Sequence, residues 1–197
     1  GLVYQGAGRD RPERVAPRRY ATSGSEVCHR RGLTNLEKLV LSGSITDAGL
    51  VHLKGMTNLQ ALRLDATKVT DAGLVHLRGM TNLQALRLDA TKVTDAGLVH
   101  LKGLQLTSLG IPNDAKTDLG LTHYLAASET YTALNLSGWK ITDAGLVHLK
   151  GLTNLQKLVL SGSITDAGLV RLTGMTNLHA LSLDATKVTD AGLVHLK

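Results

Sequence analysis

From Gly32 to Lys197 the sequence restarts every 23 or 24 residues, and self-similarity at that period belongs to chains that fold by stacking one small unit on the next. Seven consecutive units can be drawn: 32-54, 55-78, 79-102, 103-126, 127-150, 151-173 and 174-197. The fullest is "GMTNLQALRLDATKVTDAGLVHLR" (Gly55 to Arg78). The poorest is the fourth, "GLQLTSLGIPNDAKTDLGLTHYLA", in which Leu106, Leu109, Ile111, Asp118, Gly120 and Leu121 stay in frame once one residue near Leu104 is dropped. Each unit changes rhythm halfway. In "LQALRLDA" (Leu83 to Ala90), Leu86 and Leu88 alternate with Ala85, Arg87 and Asp89, the two-residue period of a short strand with one buried face. In "VTDAGLVHL" (Val93 to Leu101) the apolar residues fall at helical spacing, with Thr94 or Asp95 as N-cap. Lys54, Arg78, Lys102 and Lys150 close these helices where a cation suits the dipole, and Gly55, Gly79 and Gly151 turn the chain back. A single unit cannot bury its own leucines. Stacked in register, the units make an α/β solenoid, with short parallel strands on one side and short helices on the other.

The pattern LxxLxLxxTxxTDxGLxxL resembles a leucine-rich repeat. The "TDAGL" helix start is similar to the cysteine-containing, ribonuclease-inhibitor-like subtype, with Thr or Ser where that subtype often carries Cys. The resemblance covers residues 32 to 197 and implies a horseshoe whose concave parallel sheet binds another protein. It implies no catalytic residue.

Composition adds limits. Hydrophobic residues make up 43% of the 197-residue chain, and no apolar run is long enough for a membrane span. The one cysteine, Cys28, excludes an internal disulfide framework. The formal charge of +6 is uneven: residues 1-31 hold seven Arg against three acids, whereas residues 32-197 hold 15 basic and 13 acidic residues. Residues 1-31 are therefore expected to form a basic, poorly ordered N-terminal arm beside a nearly neutral repeat domain. The repeat ends at Lys197 without a divergent closing segment, and "KLVLSGSITDAGLV" occurs in both the first and sixth units. Together these read as a window onto a longer array copied in blocks.

Function is expected where the units differ or where the strand face is charged. Arg63 and Asp65 on one strand and Arg87 and Asp89 on the next should form a two-by-two grid, since parallel neighbours lie about 4.8 Å apart. This grid reads either as a docking patch for a partner of alternating charge or as a solvated face that neutralises itself. Tyr124, Tyr131 and Trp139 gather with Pro112 in and beside the irregular fourth unit, and Asn135 stands on the fifth strand. These residues make Pro112, Asn135 and Trp139 further partner-binding candidates, because departures from repetition often carry recognition. Trp139 takes the place of Thr67, Thr91 and Thr186; either the ring is exposed as an anchor or it is buried in a distorted unit.

Other chemistries have little support. His52, His76, His100, His148 and His195 share one repeat position, but helices about 8-10 Å apart cannot bring neighbouring imidazoles onto one zinc with bonds near 2.0 Å. The aspartates of the "TDAG" series are accounted for as helix caps. Ser42 to Ser44 and Ser161 to Ser163 are strand-end turns, and no phosphate loop, HExxH site or nucleophile elbow occurs. The expectation is a non-catalytic protein-protein interaction scaffold without cofactor or metal. The alternatives are a spacer array with no dedicated partner and nucleic-acid binding through the basic arm.

Overall fold

The alternating leucines place one leucine at the centre of each of seven three-residue strands: β1 Lys38–Val40, β2 Ala61–Arg63, β3 Ala85–Arg87, β4 Ser108–Gly110, β5 Ala133–Asn135, β6 Lys157–Val159 and β7 Ala180–Ser182. A computed structural model describes residues 35-128 and 131-196; the expected basic arm, with Cys28, lies outside them. The strands pair in parallel and in sequence order, so that Leu39, Leu62, Leu86 and Leu109 line up, as do Leu134, Leu158 and Leu181. These leucines, with Leu64, Leu74, Leu77, Leu88, Leu98 and Leu101 of the inner units, form a single apolar column. The sheet has two parts, β1 to β4 and β5 to β7. Across that gap the stack is held by the Lys140 N–H, which donates to the Lys116 carbonyl at 2.8 Å.

The helical half of each unit is tighter than its spacing predicts. In units one, two and six a single α turn, α1 Asp47–Leu50, α2 Asp71–Leu74 and α4 Asp166–Leu169, runs into a 3₁₀ turn. Units three, five and seven have only 3₁₀ helix, at Ala96–Leu101, Gly145–Leu149 and Gly192–Leu196. Such short segments are mostly termini, where i to i+3 bonds are common. The weak fourth unit forms the longest helix, α3 Asp118–Ala126. Elsewhere Gly55, Gly79, Gly103, Gly151 and Gly174 stop the helix with φ between +81° and +102°. Ala127 takes that place after α3 with φ −83°, and the helix runs on.

The "TDAG" aspartates do not serve as caps of their own helices. Each carboxylate reaches forward to the threonine of the following unit. Asp47 accepts the Thr70 N–H at 2.8 Å and its hydroxyl at 2.7 Å, and Asp71 does the same for Thr94 at 2.7 Å for both bonds. Asp118 to Thr142, Asp143 to Thr165 and Asp166 to Thr189 repeat this pair of bonds, while Asp95 keeps the hydroxyl bond to Thr117 at 2.6 Å. Capping falls to the threonine: Thr70 accepts from the Ala72 N–H, Thr117 from Gly120 and Thr165 from Ala167. The glycine has a packing reason. A Cβ at Gly73, Gly97, Gly145, Gly168 or Gly192 would collide with the carboxylate arriving from the preceding unit.

Two stability outcomes follow from this architecture. Leu88 is 0% exposed, so Leu88→Ala should cost roughly 2-5 kcal/mol in denaturant or thermal unfolding. Arg87→Ala, on the opposite side of the same strand, should cost about 0.5 kcal/mol or less. Equal losses would contradict the strand register. The bonds from Thr189 hold the Asp166 carboxyl below its ordinary range. A depressed folded pKa means that this contribution is complete above the ordinary carboxylate range and disappears as pH falls through the folded value. Thermal melts from pH 7 down to pH about 2 should lose stability over that window, and Asp166→Asn should flatten the slope.

Candidate functional site: the charged strand face

The one-in, one-out alternation of β2 and β3 turns Arg63 and Arg87 to the open side of the sheet, and strand pairing sets them directly opposite each other. The strand ends stay parallel beyond the arginines: the Leu64 N–H donates to the Arg87 carbonyl and the Ala66 N–H to the Asp89 carbonyl, both at 2.9 Å. Each guanidinium then folds along its own strand. Arg63 Nε lies 2.9 Å and Nη2 2.8 Å from Asp65 Oδ2, and Arg87 Nε lies 2.7 Å from Asp89 Oδ2. The expected grid is therefore two in-strand ion pairs side by side. The Arg63 and Arg87 side chains remain 57% and 48% exposed. The hydrogen bond and charge of Asp89 raise the pKa of Arg87, and Asp65 on the neighbouring strand adds to this. Asp65 Oδ1 is buried and has no hydrogen-bond partner among the described residues. On β4 the arginine position is Gly110, where any side chain would strike Arg87 and Asp89; its absence gives the second pair room to lie flat.

The other sequence candidates do not join this patch. Asn135 is exposed on β5, in the second part of the sheet, and its side-chain oxygen accepts the Ser137 N–H at 3.0 Å in a local turn. Pro112 is buried at the entry to a 3₁₀ turn at Asn113–Ala115. Trp139 is only 8% exposed. Its ring meets Tyr124 edge-on, with centroids 5.3 Å apart and planes at 84°. Tyr124 in turn lies 6.0 Å from Tyr131, whose hydroxyl donates to the Tyr124 carbonyl at 2.8 Å. Burial raises the pKa of both tyrosines.

The aromatic group thus plugs the irregular units from within. In regular units, the hydroxyls of Thr67, Thr91 and Thr186 donate to the carbonyls of Leu64, Leu88 and Leu183 at 2.7-2.8 Å. Trp139 keeps only the backbone bond, from its N–H to the Leu136 carbonyl, and its indole fills the space beside Tyr124. Of the two sequence alternatives for Trp139, the structure has the buried one, which removes the indole from the accessible surface together with Pro112.

The convex histidines stay apart as a row. His100 Nδ1 lies 2.5 Å from Arg78 Nη2, and its pKa is lowered by desolvation first and by the Arg78 charge second. Among the described residues, no group of three or more His, Cys, Asp or Glu side chains is placed to hold a metal ion. No described helix is long and apolar enough to cross a membrane. Sequence reasoning passed over one feature, a polar groove at the N-terminal ends of β1 to β3 lined by Asn35, Glu37, Asn58, Gln60, Asn82 and Gln84. The recurring "TNLQ" was its only signal.

No protein-family model matches the chain, and no curated protein does. Among solved structures, an internalin (inlF) of Listeria monocytogenes is similar at 23% identity with a TM-score of 0.52, covering 84% of this chain and 53% of its own. An internalin C2 of the same organism is similar at 29% identity with a TM-score of 0.43, covering 77% of this chain and 61% of its own. The chain thus spans little more than half the length of these internalins. Its fold is a leucine-rich repeat solenoid of short parallel strands and short helices.

The buried indole can be tested directly, because Trp139 is the one tryptophan in the chain. Its fluorescence should be blue-shifted and poorly quenched by iodide until the protein unfolds. Trp139→Ala should cost about 3-5 kcal/mol. A solvent-like emission spectrum, with no loss of stability in the variant, would place the ring outside the core.

Proposed function

We propose that the repeat domain is a non-catalytic protein-binding module that recognises its partner through the open strand face, centred on Arg63, Asp65, Arg87 and Asp89, with Asn135 as an outlying contact. The observation that carries this reading is the register of β2 and β3, which presents two half-exposed arginines side by side on a rigid sheet. A rigid guanidinium offers contact area and fixed hydrogen-bond directions, and arginine is enriched among residues that dominate binding energy. Each pair is already matched by its own aspartate, so a partner of alternating charge can exchange bonds with both members without leaving an unpaired ion. Helix starts of the "TDAGL" form support placing the repeats near the ribonuclease-inhibitor-like subtype. The near identity of several units supports a second reading, a spacer array without a dedicated partner. The basic arm as a nucleic-acid contact lies outside the described residues.

The deciding experiment captures partners on the immobilised chain and compares variants whose folding has been checked by circular dichroism. Arg63→Glu with Arg87→Glu should weaken a specific partner at least about tenfold, near 1.4 kcal/mol. His76→Ala with His100→Ala should leave it unchanged. Loss only in the histidine variant would move the binding face to the helices. Absence of any saturable partner would leave the spacer reading in its place.

A further inference from the structure

The two parts of the sheet meet at a seam between β4 and β5. Among the described residues no backbone hydrogen bond joins these strands, and most Cα pairs between them lie more than 8 Å apart. Paired strands lie about 4.8 Å apart, and two strands with one missing between them about 9.6 Å. The helix side of the same stack is closed, because α3 packs against Ala96–Leu101 before it and against Gly145–Leu149 after it. On the sheet side the seam opens onto the core. Leu109, at the centre of β4, is partly exposed, whereas its counterparts Leu62, Leu86, Leu134 and Leu158 are buried.

The lips of the seam carry main-chain groups that the ladder does not use. On β4 the Ser108 N–H donates to the Gln84 carbonyl at 3.1 Å and the Gly110 carbonyl accepts the Leu88 N–H at 2.9 Å, both toward β3. Past the end of β5 the Leu136 N–H donates to the Val159 carbonyl at 2.9 Å, toward β6. Successive residues of a strand turn their N–H and C=O groups to opposite edges. Leu109 therefore faces its own pair into the seam from one side, and Ala133 and Asn135 face theirs from the other. Such unpaired edge groups are a template for another strand. A helix has already spent these groups within itself, so an extended chain is what the two lips select. The outward side chains of Ser108, Gly110 and Ala133 are short and leave a backbone room to approach. We infer that the seam binds an extended segment of a partner protein, which pairs its main chain with Leu109 on β4 and with Ala133 and Asn135 on β5 and sets one apolar side chain inward beside Leu109. The residues on either side of that apolar one point to the open face, next to the Arg87 and Asp89 pair that leans over Gly110. The inference deepens the protein-binding reading and rests on it, but uses main-chain groups rather than the arginines.

The test uses the full chain and a blocked peptide of about five residues, one strand's length, with a Val-Leu-Val centre between threonines. In the free chain the Leu109 amide should exchange with solvent at least about tenfold faster than the Leu86 amide of the paired sheet. On titration the backbone amide resonances of Leu109, Ala133 and Asn135 should shift, and exchange at Leu109 should slow. The same peptide with an N-methyl group on its central leucine keeps the side chains but loses a donor, and should bind at least about tenfold more weakly. A peptide with lysine in place of that leucine should lose as much. Ala133→Pro, checked for folding by circular dichroism, removes a seam donor that no described residue uses and should weaken binding likewise. Unshifted amides, or equal binding of the methylated peptide, would overturn the inference. So would a slowly exchanging Leu109 amide in the free chain, which would mean that the seam is already filled. Failure of the peptide alongside a partner still sensitive to Arg63 and Arg87 would remove the seam and leave the strand-face reading intact; peptide binding with Arg-insensitive partner capture would do the reverse.

Discussion

Every joint in the described stack depends on an aspartate of one unit accepting hydrogen bonds from a threonine of the next. These bonds span 22 to 24 residues and recur from Asp47 to Thr189, two at each joint except Asp95 to Thr117, which has the hydroxyl bond. They link the helical side of the solenoid in the same order in which strand pairing links the sheet side. The short period follows from meeting both constraints at once: a unit must return its leucine to the column and its threonine to the waiting carboxylate. Four residues of the motif are thereby explained together. Threonine donates back to the preceding unit and caps its own helix, aspartate receives from the next unit, glycine makes room for the previous carboxylate, and leucine enters the core. Charged hydrogen bonds of this kind are stronger than neutral ones, although exposure to water moderates them.

Strand positions were legible because alternation has a local cause. Leu86 and Leu88 point inward and Arg87 outward whatever the neighbouring unit contributes, and the observed β3 follows that reading. The aspartate joint was not legible, since "TDAG" read within one unit looks like a helix start with a good cap. Its partner lies one period away, and only the three-dimensional stack brings the two together. Helix type was likewise missed: spacing gave apolar positions but not the balance between α and 3₁₀ turns, which differs between units two and three although both carry TDAGLVHL in frame and end at a glycine of positive φ. Around Trp139 the sequence left two outcomes open, and packing against Tyr124 decided between them. Pro112 is buried where the chain enters the 3₁₀ turn Asn113–Ala115, a turn that alternation along the strand does not foretell.

Repetition and recognition make opposite demands on such a chain. The column and joints favour sameness, while a binding face needs differences. Here the differences sit where the frame is indifferent to them, at outward strand positions such as Val40, Arg63, Arg87 and Gly110, which the register brings into one line. The irregular fourth unit loosens one of its joints without opening it: Asp95 holds Thr117 through the hydroxyl alone, whereas Asp118 makes both bonds to Thr142.

A joint that is the same at every position makes the units interchangeable. Any unit carrying threonine, aspartate and glycine in frame can follow any other, because neither neighbour needs to be altered to receive it. Copying errors that add or remove whole units therefore meet a surface already prepared for them, and the recurrence of "KLVLSGSITDAGLV" in the first and sixth units is the trace expected of that freedom. Inheritance in this chain can act on length as readily as on individual residues.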